Sequence, residues 1–473
     1  MKAFITSSIP YVNGPPHLGH SMEFVMADVL ARYARLKGDD VILSIGTDEH
    51  GGKIAEKAEK LNLTPIELAN QVSAEFKRIA KVLEITNDRF IRTTDKDHED
   101  RVHKIWLKIK DDIYMKEYTG WYCTGDEAFF SESVVKRNNG ICPDHNTPYE
   151  KIVEQNYFFK LSKYNKQIKD LITSNKFLII PETKRNEILS LLDEGLEDIS
   201  VSRPKEKIYW GIPVPDDDSQ VIYVWFEALL NYITVLGYPD GQDFKDYWPP
   251  GYQVVGKDII RFHAAIWPAI LLSLGVDTPK KLYVHGFINV NNMKMGKSLG
   301  NSVDPFEIVK KYSADTFRYY FLRHIPSYDD GNFSWESLEE VYNSDLGNEL
   351  GNAVQRTAVM VKNYLDEKLP ETEKLVYDPE IGGLIEDCRF DKALEQIWLR
   401  IKNLNQFIEE QKPWALHKSG DTDKLKEVLN SQVTTLRYIA YLLLPFLPET
   451  SDSISKIFAG KLNLPDKTLF PRQ

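Results

Sequence analysis

Two histidines lie one helical turn apart near the start of this chain, in the run Pro10-Tyr11-Val12-Asn13-Gly14-Pro15-Pro16-His17-Leu18-Gly19-His20. Far downstream, two lysines stand close together in Lys294-Met295-Gly296-Lys297-Ser298. Gly14 and the two prolines fix a tight turn, after which His17 and His20 share one face of a helix. The positive end of that helix suits a phosphate. Two imidazoles there can donate hydrogen bonds to charge building on the α-phosphate of ATP during an in-line displacement by a carboxylate. Such a reaction needs no covalent nucleophile and runs on positioning and electrostatics. Lys294 and Lys297 would supply positive charge to the leaving pyrophosphate. Two plainer readings stay open: a histidine pair that only caps and packs, or a metal pair lacking its other ligands. A lysine loop is also most often solvated surface.

The elements that must position these groups follow from periodicity. Residues 2–8 read as a first strand, and Leu18, Met22, Val25, Met26, Val29, Leu30 and Tyr33 recur at helical spacing after the turn. A short buried-type strand at 41–45 ends at Gly46, followed by helical patterns through 65–83, a strand at 89–92 and a helix from about His98. Strands alternating with helices predict a parallel α/β sheet, which binds ligands at the carboxyl ends of its strands. Both His17–His20 and Gly46–Gly51 fall there. From about Tyr114 to Asp218 the pattern becomes irregular, with a Cys/His cluster, and reads as an insertion. The α/β signal returns at 221–225 and continues through 254–255 and 282–285. Beyond Asp345 amphipathic runs around 346–365, 384–411 and 423–444 predict a helix bundle.

Composition sets bounds. At 473 residues the chain can bury ample core, and 42% hydrophobic with 27% charged residues is ordinary for a globular protein. Three cysteines, Cys123, Cys142 and Cys388, rule out a disulfide framework and fit a reducing compartment. There is no secretory leader, and no apolar run spans a bilayer. These features predict a cytoplasmic protein. The net charge of −11 neither supports nor excludes a nucleic-acid partner, because phosphate contacts are made by local patches.

The two motifs, in this order and at this length, resemble those of the class I aminoacyl-tRNA synthetases, and more closely the methionyl-tRNA synthetases. The resemblance covers nearly the whole chain. It implies a split Rossmann-like fold in five stretches: 1–113 and 221–298 as the catalytic halves, 114–220 as a connective insertion, 299–345 as a signature-loop and stem-contact region, and 346–473 as a helical anticodon-binding domain. It implies adenylation of L-methionine with ATP and Mg2+, then transfer to tRNA(Met). His17, His20, Lys294 and Lys297 would be catalytic, with Gly19, Asp258 and Ser298 also at the nucleotide. Gly296 stands where the family usually has serine, which removes a hydroxyl and loosens the loop.

Three further segments resemble the family's methionine pocket. Ile9 and Tyr11 precede the histidines, and Asp48 in Gly46-Thr47-Asp48-Glu49-His50-Gly51 would face the α-ammonium. Trp225, Ala228 and Tyr232, with Ile259 and His263, would surround the thioether, where aromatic contacts contribute about 0.3–1.5 kcal/mol each. Glu227 replaces the family's common aspartate. Such a pocket rejects a substrate lacking one methyl by only roughly 1–3 kcal/mol, so homocysteine should compete. Trp225 or Tyr232 taken singly reads more readily as core, and it is their joint match that points to the pocket.

Cys123-x-x-Asp126 and Cys142-x-x-His145 are spaced like a zinc knuckle. One branch of the family keeps such a metal and another has lost it, so Cys123, Asp126, Cys142 and His145 leave a structural zinc open. In the helical region Asn352 and Arg356 lie at i and i+4, and Trp414 offers a stacking platform. The resemblance makes these the anticodon readers. The chain stops soon after the bundle, without the appended module that dimerises some family members, which predicts a monomer. The rivals are a small nucleotidyltransferase, which has no use for the bundle, and an inactive tRNA-binding paralogue, which tends to lose the histidines or lysines.

Overall fold

Short apolar strands set between amphipathic helices leave little choice but a parallel sheet covered on both faces. A computed structural model describes the chain apart from residues 125–127, 131, 144–145, 296–300, 373, 465–467 and 472–473. The main sheet contains β1 (Lys2–Ser7), β2 (Asp40–Thr47), β3 (Arg89–Arg92), β4 (Leu178–Ile180), β5 (Tyr252–Gly256) and β6 (Lys281–His285). Its order is β3-β2-β1-β5-β6-β4, and every pairing is parallel. The chain winds outward from β1 to β3, then resumes on the other side of β1. The strand order therefore reverses between β1 and β5, which opens a crevice at their carboxyl ends.

The covering helices are set by local signals. Helix α1 (Leu18–Leu36) is buried along most of its length between the sheet and later helices. Helix α2 (Pro65–Val82) begins with a reciprocal box, in which Thr64 caps Glu67 N and the Glu67 carboxylate returns to Thr64 N, with proline in the first turn. Helix α3 (Lys96–Lys108) follows β3.

The irregular middle of the chain forms two small antiparallel sheets. Ile113–Cys123 pairs with Glu150–Phe159 along nearly its whole length, flanked by Ala128–Phe130 and Ile199–Ser200. Ser202–Pro204, Pro213–Val214 and Asp217–Ile222 form the second. The strand expected at 221–225 thus ends at Ile222 and lies outside the parallel sheet. Helix α4 (Val224–Leu229) starts at once. A short apolar run fits either period, and length alone could not arbitrate. Strand β4 comes from within the stretch 114–220 read as inserted, yet it is an edge strand of the main sheet.

Apart from a small sheet of Ile288–Val290, Met293–Lys294 and Gly331–Phe333, the rest is mainly helical. Helix α5 (Ala314–Arg323) leads to Trp335–Val341, a wide π turn at Tyr342–Gly351, and α6 (Asn352–Tyr364). Then come α7 (Phe390–Gln411), α8 (Pro413–Ser419), α9 (Thr422–Leu443) and α10 (Pro448–Ile457). One apolar core runs from Ile5 and Met22 through Phe317 to Ile401 and Leu436, so sheet and bundle are continuous. Among the described residues, no helix is long and apolar enough to cross a membrane.

Candidate active site

The crevice between β1 and β5 is where the expected nucleotide residues gather. His17 sits in extended backbone as the N-cap of α1, and its Nδ1 accepts from Gly19 N at 3.1 Å and His20 N at 3.4 Å. A ring nitrogen that accepts is bare, so the neutral ring carries its proton on Nε2. The His17 and His20 rings stack with centroids 3.5 Å apart and 22° between planes. Gly19 is needed for this folding back, since a Cβ there would press on the His17 ring at 3.1 Å.

One turn on, Glu23 is a site residue that motif reading missed. Its Oε1 accepts from Ser8 N at 2.7 Å and Ser8 Oγ at 2.6 Å, and its Oε2 lies 2.9 Å from His285 Nε2. Glu23 therefore bridges the carboxyl ends of β1 and β6 beside the two histidines. The other ring nitrogen of His285 donates to Gly286 O at 2.9 Å. Both nitrogens of this ring face acceptors. Burial pushes the His285 imidazole down, but the hydrogen bond and charge of Glu23 outweigh it and raise it above its ordinary value.

Asp258 follows the end of β5, where burial raises its carboxyl above the usual range, opposed by its own backbone hydrogen bond and by His285 and Lys294. Gly256 makes room for it, because a Cβ there would meet Asp258 Oδ1 at 2.7 Å. Lys294 stands on a short hairpin, Ile288–Val290 with Met293–Lys294, and its carbonyl accepts from Asn301 Nδ2 at 3.1 Å. Gly296, Lys297 and Ser298 lie outside the described residues.

The expected amino-acid residues converge from three strand ends. Tyr11 bridges Asp48, with Val12 N to Asp48 O at 3.0 Å and Asp48 N to Pro10 O at 2.9 Å. Gly46 lets this loop approach, since a Cβ there would meet Ile91 O at 2.2 Å and Ile9 Cγ2 at 3.0 Å. Glu49 anchors the loop from beneath, accepting from Thr47 Oγ1 and Arg92 Nε, each at 2.7 Å, and from Thr94 Oγ1. Trp225 stacks on Phe262 at 4.4 Å, and Ala228 is buried one turn along α4. Tyr11, Trp225, Ile259 and Phe262 all pack on the apolar cluster that contains Tyr232.

Tyr232 and His263 form a fully buried pair, with Tyr232 Oη 2.8 Å from His263 Nε2 and His263 Nδ1 3.0 Å from Ile259 O. A carbonyl only accepts, so Nδ1 carries the proton and Nε2 accepts from the tyrosine. Burial lowers the imidazole to about 4, which keeps it neutral near neutral pH, and burial also raises the phenol.

The other expected sites lie elsewhere. Cys123 and Cys142 are buried thiols in a small cluster with Val135 and Tyr149, against Trp121 and Phe130. Asp126 and His145 fall outside the described residues, and among the described residues no three candidate ligands come together. In the bundle, Arg356 ion-pairs with Glu409 at 2.7 Å, and its guanidinium lies 5.6 Å from the Trp414 ring centre. Asn352 is exposed one turn before it on α6.

Comparisons with known proteins agree along the length of the chain. Residues 3–152 and 146–358 match the family described as tRNA synthetases class I (M). The methionine–tRNA ligase of Brucella suis is 40% identical over 97% of this chain and 92% of its own. That of Thermotoga maritima is 39% identical over 96% of this chain and 75% of its own. The structure of Mycobacterium tuberculosis methionyl-tRNA synthetase with methionyl-adenylate superposes with a TM-score of 0.93 at 35% identity, covering 100% of both chains. The chain belongs to the class I tRNA synthetases, among the methionine–tRNA ligases.

Proposed function

We propose that His17, His20 and the Lys294 loop drive the adenylation step of a methionine–tRNA ligase, and that the pocket from Asp48 to His263 holds its amino acid. A carboxylate oxygen of L-methionine attacks the α-phosphorus of ATP, and the bond to the bridging oxygen of pyrophosphate breaks. The methionyl group then passes to a ribose hydroxyl at the 3′ end of tRNA(Met), releasing AMP. Mg2+ bound to the triphosphate would offset part of its charge.

The observation that carries the assignment is the cap at α1. By accepting from two helix N–H groups, His17 Nδ1 fixes the ring and leaves Nε2–H as a donor above a helix N-terminus. A donor held there before substrate arrives costs no reorganisation as charge builds on the phosphate. Lys294, whose charge already bears on Asp258, extends the positive field toward the leaving group. At the other end Asp48 takes the ammonium, and the side chain runs past Trp225, Ala228 and Ile259 to the Tyr232–His263 pair. That pair presents a neutral, aromatic surface to a thioether.

Pyrophosphate exchange into ATP with each of the twenty amino acids tests this reading, and exchange with methionine alone is expected. His17→Asn keeps a competent N-cap while removing the Nε2 donor. It should lower kcat by about 10²–10³ with the fold intact, the usual loss for one oriented donor. Full activity of His17→Asn, or exchange with a different amino acid, would overturn the reading.

A further inference from the structure

Behind the pocket lies a cluster that neither half of the reaction uses. Glu227, on α4, is completely buried, and its two carboxylate oxygens address two histidines. Oε1 lies 2.9 Å from His50 Nδ1, and Oε2 lies 3.0 Å from His98 Nε2. The other nitrogen of His98 meets Thr234 Oγ1 at 2.8 Å. His50 Nε2 looks toward Glu99 Oε1 at 3.8 Å. Burial alone would push the Glu227 carboxyl up, but the charges and hydrogen bonds of His50 and His98 hold it below the usual carboxylate range. A buried carboxylate with both oxygens engaged resists being moved.

The three residues belong to three different elements. His50 is two residues beyond Asp48, on the loop after β2. Glu227 lies between Trp225 and Ala228, on the helix that lines the side-chain end of the pocket. His98 is on α3, behind both. The loop is held on two other sides, by the Glu49 anchor at β3 and by Trp210, whose Nε1 donates to Glu49 O at 2.6 Å and whose carbonyl accepts from Gly51 N at 3.0 Å. His50–Glu227 joins that loop to α4.

We infer that Glu227, through His50 and His98, is a positioning residue that sets the separation between the ammonium-binding loop and the side-chain wall of the amino-acid pocket, and so the length of amino acid the enzyme selects. The inference rests on the pocket assignment above. The span from Asp48 to Trp225 and Ala228 must match one side chain, and small errors in such a span are expensive in recognition. The nucleotide groups sit on α1, β5 and β6, which this strut does not tie together. Its loss should therefore act on the amino acid and spare ATP.

The test is pyrophosphate exchange with Glu227→Gln and His50→Gln, each measured with methionine and with ethionine, which is longer by one methylene. Each variant should raise KM for methionine by about 10-fold or more, the cost of a buried hydrogen bond left unmade, with KM for ATP unchanged. The methionine-to-ethionine ratio of kcat/KM should fall in both. The double variant should be no worse than the single ones, because both break one strut. Should Glu227→Gln fail to fold, His50→Gln, which leaves Glu227 on His98, carries the test. An unchanged ratio, losses in kcat with both KM values moving together, or additive losses in the double variant would each overturn the inference. If the wild type itself shows no exchange with methionine, the pocket assignment fails instead.

Discussion

In the proposed pocket, the Tyr232–His263 pair would set what the far end can recognise. Because Ile259 O takes the Nδ1 proton, the Tyr232 hydroxyl is committed as donor to Nε2. A thioether beside the pair would then receive no hydrogen bond from the hydroxyl, and the aromatic ring edge would supply the contact. Tyr232→Phe would leave Nε2 of a buried, neutral imidazole unmet, at roughly 1–3 kcal/mol. Measured by exchange, its KM for methionine should rise about 5- to 150-fold while KM for ATP stays put; an unchanged methionine KM would show that the pair does not line the site. His17, His20, Lys294 and Asp48 could be named as candidates in the chain because their neighbours form short, dense motifs. Glu23 and His285 could not, since they meet only when α1 is laid against the end of β6, 262 positions apart. His285 had one faint signal, its place at the end of an expected strand.

At the scale of elements, the corner between α7 and α8 explains how an aromatic ring reaches the bundle surface. Lys412 takes a left-handed conformation, φ 42°, and Pro413 opens α8, so the chain turns sharply and Trp414 is left 39% exposed. Arg356 lies across from it, held by an ion pair to an exposed glutamate that contributes little and that an RNA phosphate would readily displace if the proposed anticodon contact forms here. A splayed base stacking on Trp414, as proposed, would contribute about 1–3 kcal/mol. Trp414→Ala should therefore raise KM for tRNA(Met) about 5- to 150-fold in aminoacylation and leave pyrophosphate exchange with methionine at wild-type rates. Loss of exchange would place the ring in the core instead. The long helices of this region were legible from their 3.6-residue period. The strand read through Trp225 was not, because α4 begins within an apolar run whose first residues fit either period. Strand β4 is three residues long, too short for any pattern to register.

The whole molecule is held as one piece by a buried cation that looks like any surface arginine in Thr316-Phe317-Arg318-Tyr319. Arg318 is fully buried on α5, and it donates to Asp28 on α1 at 2.8 Å, to Leu83 O at 3.1 Å, and to Pro445 O and Phe446 O in the turn before α10 at 3.0 and 2.6 Å. Three regions that periodicity would separate are thereby joined through one guanidinium. Asp315, one turn earlier on α5, accepts from Thr450 N at 2.6 Å. Burial pushes its carboxyl up to about 6 from an ordinary 3.8, against the hydrogen bonds from Thr450 and the charge of Arg318, with Glu84 adding to the rise. A carboxyl raised in the folded state contributes stability that is complete below its unfolded value and is lost as pH climbs through the folded one, here between about 4 and 6. The same linkage is worth up to about 3 kcal/mol. His263 works in the opposite direction across that window, since an imidazole lowered to about 4 from 6.5 gives stability that is lost as pH falls through 4. Glu449, raised to about 7 by burial, Asp315 and Glu84, adds to the Asp315 loss, so the wild type should lose stability on balance as pH climbs through this window. Asp315→Asn copies the protonated acid and titrates no longer. Its unfolding midpoint should gain steadily on that of the wild type as pH is raised from 4.5 to 6.5. Parallel curves for the two proteins would mean that Asp315 is ionised throughout.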